Sequence, residues 1–446
     1  MGEAAKISLK AIGKQDTYLL SDDPEESFFK YTTDKRHSEF RKYHRNRNVV
    51  KPGNAVASWP FGETIKVQFN PTNMGDLLSN MWLSLTLPGL SDYATKNYAD
   101  QVGRHILKSI TMYVDDIEVE KIHDDWGIIY DDLYLEISEK VANRFLVNRN
   151  LGFDDAPTST SVAQYDSDLV IPLHFFFSRK FASDEYGTNK PNRPYFPVCS
   201  IYRQKIEFEL EFHKQTFFTN TTDTVTLQSF NLVTEEITVS PEERKFLASE
   251  PQTMITDLVR KHPSIVSDLN KDVIRNNLVP NIPVKCIHWF IRNTAFENAD
   301  DAEGTGSGGE YLYENRFNFS ATLDFQGENT TLYPVMKDAS FYINGNRLPN
   351  VSKTGHEYYK YLVPYHTRLS RPIRNIYTYS FSMNPINVEP SGNLDFSQIQ
   401  SDKTNIEVTL DTDSGIDIST ETFSLNMYYT GYQTFVFDRG FMSVAY

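Results

Sequence analysis

The stretch KSITMYVDD, Lys108 to Asp116, returns later in the chain as KDASFYING, Lys337 to Gly345, and each reads as a strand running into a tight turn. One chain therefore carries two copies of one β-unit. Two further pairs follow in the same order. IPLHFFF (Ile171 to Phe177) is answered by IYTYSFSM (Ile376 to Met383), and KIEFEL (Lys205 to Leu210) by NIEVTL (Asn405 to Leu410). A single pair of short β-runs can match by chance. Three pairs in one order, with loops of different length between them, indicate duplication of a whole domain. The period far exceeds the roughly 20 to 50 residues of solenoid or propeller repeats, which leaves two complete domains in tandem.

Composition agrees. The chain has 446 residues, more than the roughly 250 to 300 at which one hydrophobic core stops growing, so two cores are expected. Aromatic residues make up 13% of it, including 30 Phe and 26 Tyr, and such rings favour pleated, half-buried surfaces. The expected class is all-β.

With 59 acidic against 44 basic side chains the net charge is −15, which argues against a general electrostatic grip on nucleic acid. Cys199 and Cys286 are the two cysteines, too few for a disulfide framework or a structural zinc set and in keeping with folding in a reducing cytosol. The opening MGEAAKISLK has no apolar signal core, and Lys6 stands where a myristoylation motif needs Ser or Thr. The apolar run Leu169 to Phe177 is interrupted by His174 and is less than half the roughly 20 residues of a spanning helix.

The chain divides into an N-terminal arm (1–49), a first β-domain (50–232), a helical connector (233–281) and a second β-domain (282–446). In the arm an acidic cluster, Asp22 to Glu26, precedes Phe28, Phe29 and Lys30, and seven Lys or Arg between Lys35 and Lys51 face only Glu39. Composition alone favours a solvated segment, as charge runs ordinarily are; a docking arm is the other reading, because exposed paired phenylalanines usually mark a contact. In the first domain, Leu135, Val141 and Phe145 space an amphipathic helix over Asp131 to Asn148. SPEERKFL from Ser240 supplies an N-cap, a proline at the first helical position and Glu243 three residues after the cap. That helix is expected to run to about Lys261, with a break near Pro251. In the second domain NADDAEGTGSGGE, from Asn298, cannot pack a core and reads as an exposed loop.

Catalytic and cofactor signals are weak, and no catalytic residue, cofactor or metal site is expected. GTGSGGE (Gly304 to Glu310) lacks the Lys-Ser/Thr ending of a phosphate-binding loop. The ten histidines are dispersed, without metal-ligand spacing. The pairs Asp115-Asp116, Asp124-Asp125 and Asp131-Asp132 could supply the two carboxylates of a glycosidase, but doublets of this kind more often mark turns and helix starts. Sequons stand at Asn220, Asn318, Asn329 and Asn350. They are possible glycosylation sites, but without a secretory signal unmodified asparagine is the expectation.

At this point the residues resemble a family. GKQDTYLLSDDPEESFFKYTTDKRHSEF (Gly13 to Phe40), PEERKFLASEPQTMITDLV (Pro241 to Val259), FYINGNR (Phe341 to Arg347), YYKYLVPY (Tyr358 to Tyr365) and YSFSMNPINVEPSGNLDFSQI (Tyr379 to Ile399) are similar to segments of the major capsid proteins of nucleocytoplasmic large DNA viruses. The resemblance implies two tandem eight-stranded antiparallel jelly rolls, with a few short helices in loops and in the connector. It also implies a structural, non-enzymatic role: homotrimeric, pseudo-hexagonal capsomers that tile an icosahedral shell beside neighbouring capsomers, in a virion assembled in the host cytoplasm. Phe28, Phe29, Lys30, Arg36 and His37 would then lie on the inner face, towards minor capsid, cement and penton proteins and an internal viral membrane. No sequence-specific nucleic acid binding is implied. The alternative from a different class is a jelly-roll carbohydrate-binding protein of the virion surface. A glycoside hydrolase centred on Asp124 or Asp125 is a third reading.

Overall fold

The computed structural model describes residues 39–48, 61–92, 98–99, 101–148, 165–179, 195–219, 221, 224–225, 230–297, 316–317, 319–320, 333–351, 354–388 and 390–445. The first half contributes β1 (Phe40–Asn48), β2 (Thr64–Phe69), β3 (Leu77–Leu87), β4 (Leu107–Val114), β5 (Ile117–His123), β6 (Ser167–Leu173), β7 (Ile206–Phe212) and β8 (Phe230–Val239). The second contributes β9 (Gln252–Val266), β10 (Val273–Asn277), β11 (Val284–Asn293), β12 (Met336–Ile343), β13 (Asn346–Leu348), β14 (Tyr377–Ser380), β15 (Asn405–Leu410) and β16 (Phe423–Asp438), followed by β17 (Phe441–Val444). Helices are α1 (Val102–Ile106), α2 (Asp124–Leu133), α3 (Ile137–Val147), α4 (Pro241–Ser249) and α5 (Val363–Thr367), the last continuing a π-helical turn over Tyr358–Leu362.

The strands form two facing pairs of antiparallel sheets. In the first half their orders are β1-β8-β3-β6 and β2-β7-β4-β5; in the second, β9-β16-β11-β14 and β10-β15-β12-β13. Adding eight to every strand number of the first half reproduces the second. Each half is a jelly roll, and the fold is all-β with its helices in the connections. The three sequence repeats fall on equivalent strands: β4 and β12, β6 and β14, β7 and β15.

Strand alternation explains the packing. Along β3 the pattern from Met81 to Leu87 is buried at every second residue, which sends Met81, Leu83 and Leu85 into the space between the sheets and Trp82 and Ser84 outward. Both β4 and β12 end in two-residue hairpins whose central residues have positive φ, Asp115 and Asp116 in one and Asn344 and Gly345 in the other. This is the turn whose twist matches that of paired strands.

Three expectations need correction. The basic stretch does not stay in an arm ending at residue 49, because Phe40–Asn48 is the edge strand paired along β8. Its side chains partner β8 carboxylates: Lys42 lies 3.3 Å from Glu235 and Arg47 2.8 Å from Glu236, while the His44 ring is within hydrogen-bond distance of Glu235 at 3.1 Å. The helix from Ser240 ends at Ser249 instead of reaching Lys261. Ser240 Oγ accepts the Glu243 N–H as expected of the cap, but beyond Pro251 the chain is β9, paired with β16 from Gln252 to Val266. The connector is thus one short helix, and β9 and β10 already belong to the second roll, which starts well before residue 282. The single helix over Asp131 to Asn148 is two. Tyr134 ends α2, its N–H still bonded to the Tyr130 carbonyl and its hydroxyl to His288 on the second roll, and Glu136, in extended conformation, then caps α3 with Glu139. The predicted inner stripe of α3 faces outward, with Val141 56% and Phe145 42% exposed, while Asn143 and Val147 are buried.

The turns make a test. A Cβ on Gly345 would meet nothing within 4 Å, so Gly345→Ala should cost only its left-handed backbone, about 1 kcal/mol. Asp116→Gly, at φ 64°, should raise stability by less than about 1 kcal/mol. Urea unfolding midpoints of both variants check these opposite signs.

Candidate functional site: the seam between the two rolls

The second half of the molecule is joined to the first by more than a linker. α2, in the connection between β5 and β6, is buried over its whole length, although its sequence DDWGIIYDDL contains four aspartates. Asp124 and Asp131 are seven residues apart, as are Asp125 and Asp132, so each couple stands two turns apart on one side of the helix. An unpaired buried carboxylate is prohibitively costly, and each of the four has a cation.

Asp124 accepts hydrogen bonds from Arg316 Nη2 at 2.9 Å and lies 3.0 Å from His213 Nε2. Asp125 is bonded to Arg292 of β11, accepts from the Tyr428 hydroxyl at 3.3 Å and has Lys261 of β9 3.7 Å away. Asp131 holds Arg104 of α1 through Nε and Nη2 at 2.8 and 2.9 Å, a two-pronged pair. Asp132 accepts the Arg374 backbone N–H at 3.0 Å, with the guanidinium 3.4 Å away. Three of the four therefore reach across to the second roll.

Burial by itself would raise the Asp124 and Asp131 pKa values. Arg316 with His213 overcomes this for the first, and Arg104 with His174 for the second, so both sit below the usual carboxylate range. The cation side responds in kind: despite burial, the charges of Asp125, Glu297 and Asp124 hold Arg292 more firmly protonated than usual.

Beside these pairs the seam is aromatic. Trp126 packs on Tyr428 and His288, with ring centres 6.1 and 5.9 Å apart, and Tyr134 bonds His288 at 2.9 Å. Farther along, Phe176 meets Phe435 at 5.4 Å and Phe196 meets Phe437 at 6.2 Å. A second ionic link runs through Glu120 of β5, which binds Arg179 and accepts the Val259 backbone N–H of β9 at 2.9 Å. Arg179 Nη1 donates to the Asp257 carbonyl at 2.7 Å, and Lys285 lies 3.3 Å from the Asp257 carboxylate.

The residues singled out from sequence fare differently. Asp115 and Asp116 form a hairpin turn, Asp124 and Asp125 start a helix, and Asp131 and Asp132 are charge partners in its last turn. Trp126 and Trp289 are core, whereas Trp82 is half-buried on the outer face of its sheet and Trp59 lies outside the described residues. So do Phe28, Phe29, Lys30, Arg36, His37, Asn220, Asn318 and Asn329; Asn350 is exposed just after β13. Both cysteines are buried and free. Among the described residues no group of His, Cys, Asp or Glu is arranged to hold a metal ion. The signal that sequence reasoning passed over is the spacing of seven between the aspartate doublets on a helix otherwise rich in apolar residues. Their arginine partners are scattered between Arg104 and Arg374 without a motif.

Two family models match the chain almost end to end. One, described as the major capsid protein N-terminus, covers residues 27–247; the other, described as large eukaryotic DNA virus major capsid protein, covers residues 243–443. They meet within α4. The major capsid protein of Pyramimonas orientalis virus is 23% identical over 92% of this chain and 93% of its own length; that of Paramecium bursaria Chlorella virus 1 is 21% identical over 98% of each. Among solved structures, the quasi-atomic model of the PBCV-1 virus capsid superposes with a TM-score of 0.69 at 16% identity, covering 93% of this chain and 99% of that one. The Faustovirus major capsid protein gives 0.64 at 11% identity, covering 91% and 92%.

Two predictions follow from the buried charges. Removing one partner, as in Asp125→Asn or Arg292→Met, should cost about 3 to 5 kcal/mol, while the double variant Asp125→Leu/Arg292→Met should recover much of the loss; denaturant unfolding of the three proteins measures this. Burial also keeps His105, His123, His174 and His288 neutral, pushed down to about 3, 4, 4 and 3. The unfolded chain takes up these protons below about pH 6.5 and the folded one does not. Stability should therefore fall with pH from there, by roughly 1.4 kcal/mol per unit for each such histidine. The contribution of Asp124 and Asp131 is present above the unfolded carboxylate value and is lost below it. The melting temperature should thus decline between pH 7 and pH 4, before ordinary carboxylates titrate; a flat profile over that range contradicts the assignment.

Proposed function

Because the chain belongs to the family of large eukaryotic DNA virus major capsid proteins and is a structural protein of a viral capsid, we propose that three copies form a pseudo-hexagonal capsomer that tiles an icosahedral shell. The observation that carries this reading is the repeated strand order, in which two rolls of one topology are clamped into one unit by α2. Three such units present six similar edges, so a chain with threefold assembly fills a sixfold position. A closed ring of head-to-tail contacts needs no further symmetry.

The remaining parts of the reading concern partners. The arm carrying Phe28, Phe29, Lys30, Arg36 and His37 docks beneath the capsomer on minor capsid, cement or penton proteins and on an internal membrane. Capsids assemble in the host cytoplasm. The protein has no catalytic role; the buried pairing of Asp124 with Arg316 and of Asp125 with Arg292 leaves these carboxylates unsuited to the acid and nucleophile roles of a glycosidase.

Light scattering coupled to size-exclusion chromatography tests the capsomer. A mass three times the 51.4 kDa of the chain, unchanged on dilution, is expected, with a hexagonal outline in electron micrographs. A persistent monomer contradicts it. Phe28→Ala/Phe29→Ala should keep that mass and lose binding to minor capsid proteins; retained binding contradicts the role given to the arm.

A further inference from the structure

Acid destabilises any fold that buries neutral histidines, but one histidine of this chain sits where proton uptake acts on the seam itself. His288 of β11 is fully buried. Its Nε2 lies 2.9 Å from the Tyr134 hydroxyl, at the end of α2, and its Nδ1 lies 2.9 Å from Thr378 Oγ1 of β14. The imidazole therefore bridges the two rolls. In a neutral ring one nitrogen accepts and the other donates; in the protonated ring both donate. Proton uptake thus forces one of the two hydroxyls to turn from donor to acceptor.

Among the described residues the groups touching this ring are all uncharged near neutrality. Cys286 Sγ lies 3.5 Å from Nε2, the Trp126 ring centre is 5.9 Å away, and Tyr428 of β16 stands opposite His288 in the sheet. Burial pushes the Cys286 thiol and the Tyr134 and Tyr428 hydroxyls up from their ordinary values, so none of them supplies an anion. The carboxylates of the seam are engaged elsewhere: Asp125 with Arg292 and Lys261, and Asp257 with Lys285 and Arg179. A second histidine, His123 at the end of β5, stands 6.2 Å from Tyr428 and is flanked by Lys121 and Lys261 as well as Asp124 and Asp125. An imidazolium among these rings recovers by cation–π attraction only part of the hydration it gives up.

The two ends of the seam are built differently. Tyr428 and Phe437 are nine residues apart on β16, about 30 Å along the strand. At the Phe437 end the rolls meet through Phe196, the Arg203 N–H donates to the Gly440 carbonyl at 3.3 Å, and the chain itself crosses through α4. At the Tyr428 end they meet through α2 and His288. We propose that this second end is an acid latch: protonation of His288 disrupts its hydrogen bond with Tyr134, water enters to solvate the imidazolium, and the rolls part about α4 while each keeps its fold. The latch belongs to a single chain, whatever number of copies assemble, and goes beyond the capsomer reading.

The two cysteines report on it separately. Cys286 touches His288 in the latch, whereas Cys199 packs with Leu77, Ile237, Val239 and Leu247 in the first roll beside α4, and both are buried and free. The full-length protein is treated with dithiodipyridine, which modifies thiols in acid, and each cysteine's rate is divided by its rate in the urea-unfolded chain at the same pH. Burial holds His288 down at about 3, against an ordinary 6.5. Lowering the pH from 7 to 5 should then raise the Cys286 rate roughly 25-fold and leave Cys199 protected. His288→Gln, neutral at both pH values, should remove that factor. Exposure of both cysteines together would mean global unfolding and overturn the proposal, as would protection of Cys286 at pH 5 or an unaltered rise in His288→Gln. The comparison of the two cysteines in the wild-type chain decides the matter even if the variant does not fold.

Discussion

Everything in this molecule depends on a helix that should not, by its composition, be buried. α2 brings four carboxylates into the seam between two β-domains, and each is met there by an arginine: Arg316, Arg292, Arg104 and Arg374. Buried ion pairs contribute little net stability over an apolar contact of equal volume, but separating their members is severely unfavourable. The seam therefore resists opening more than it adds to folding. Two rolls joined only by the short α4 could hinge; two rolls that share Asp124, Asp125 and Asp132 with the opposite side cannot do so without stranding charge.

That distinction suits a shell protein. Its task is to hold two similar edges at one fixed angle through many copies, and angular error accumulates across a lattice. Aromatic contacts such as Phe176 on Phe435 supply cohesion without direction. The paired carboxylates and guanidinium groups, with their preferred planar geometry, supply the direction.

How much of this could be read from sequence varied with how local the signal was. The repeats landed on equivalent strands because alternation and turn residues act within a few positions; the NG of Asn344-Gly345 is such a case. The start of α4 was legible because Ser240 and Pro241 are a local cap. Its end was not. Gln252 to Val266 is a strand because β16 lies alongside it, and β16 begins more than 150 residues later. The arginine partners of α2 were hidden for the same reason, and the apparent inner stripe of α3 was misplaced because α2 had already taken the buried position. Phe40 to Asn48 looked like part of a basic arm, although its alternation fits a strand once Glu235 and Glu236 are known to lie beside it.

The central claim is that α2 fixes the two rolls of one chain at a single angle through its buried ion pairs. An electron cryomicroscopy reconstruction of the assembled capsomer, at a resolution that shows side chains, tests it most directly. Six rolls in alternation are expected, every copy with α2 buried between its own two rolls and the Asp125–Arg292 and Asp132–Arg374 contacts closed. A capsomer in which the two rolls of one chain sit at differing angles from copy to copy, with α2 lifted out of the seam, would contradict it.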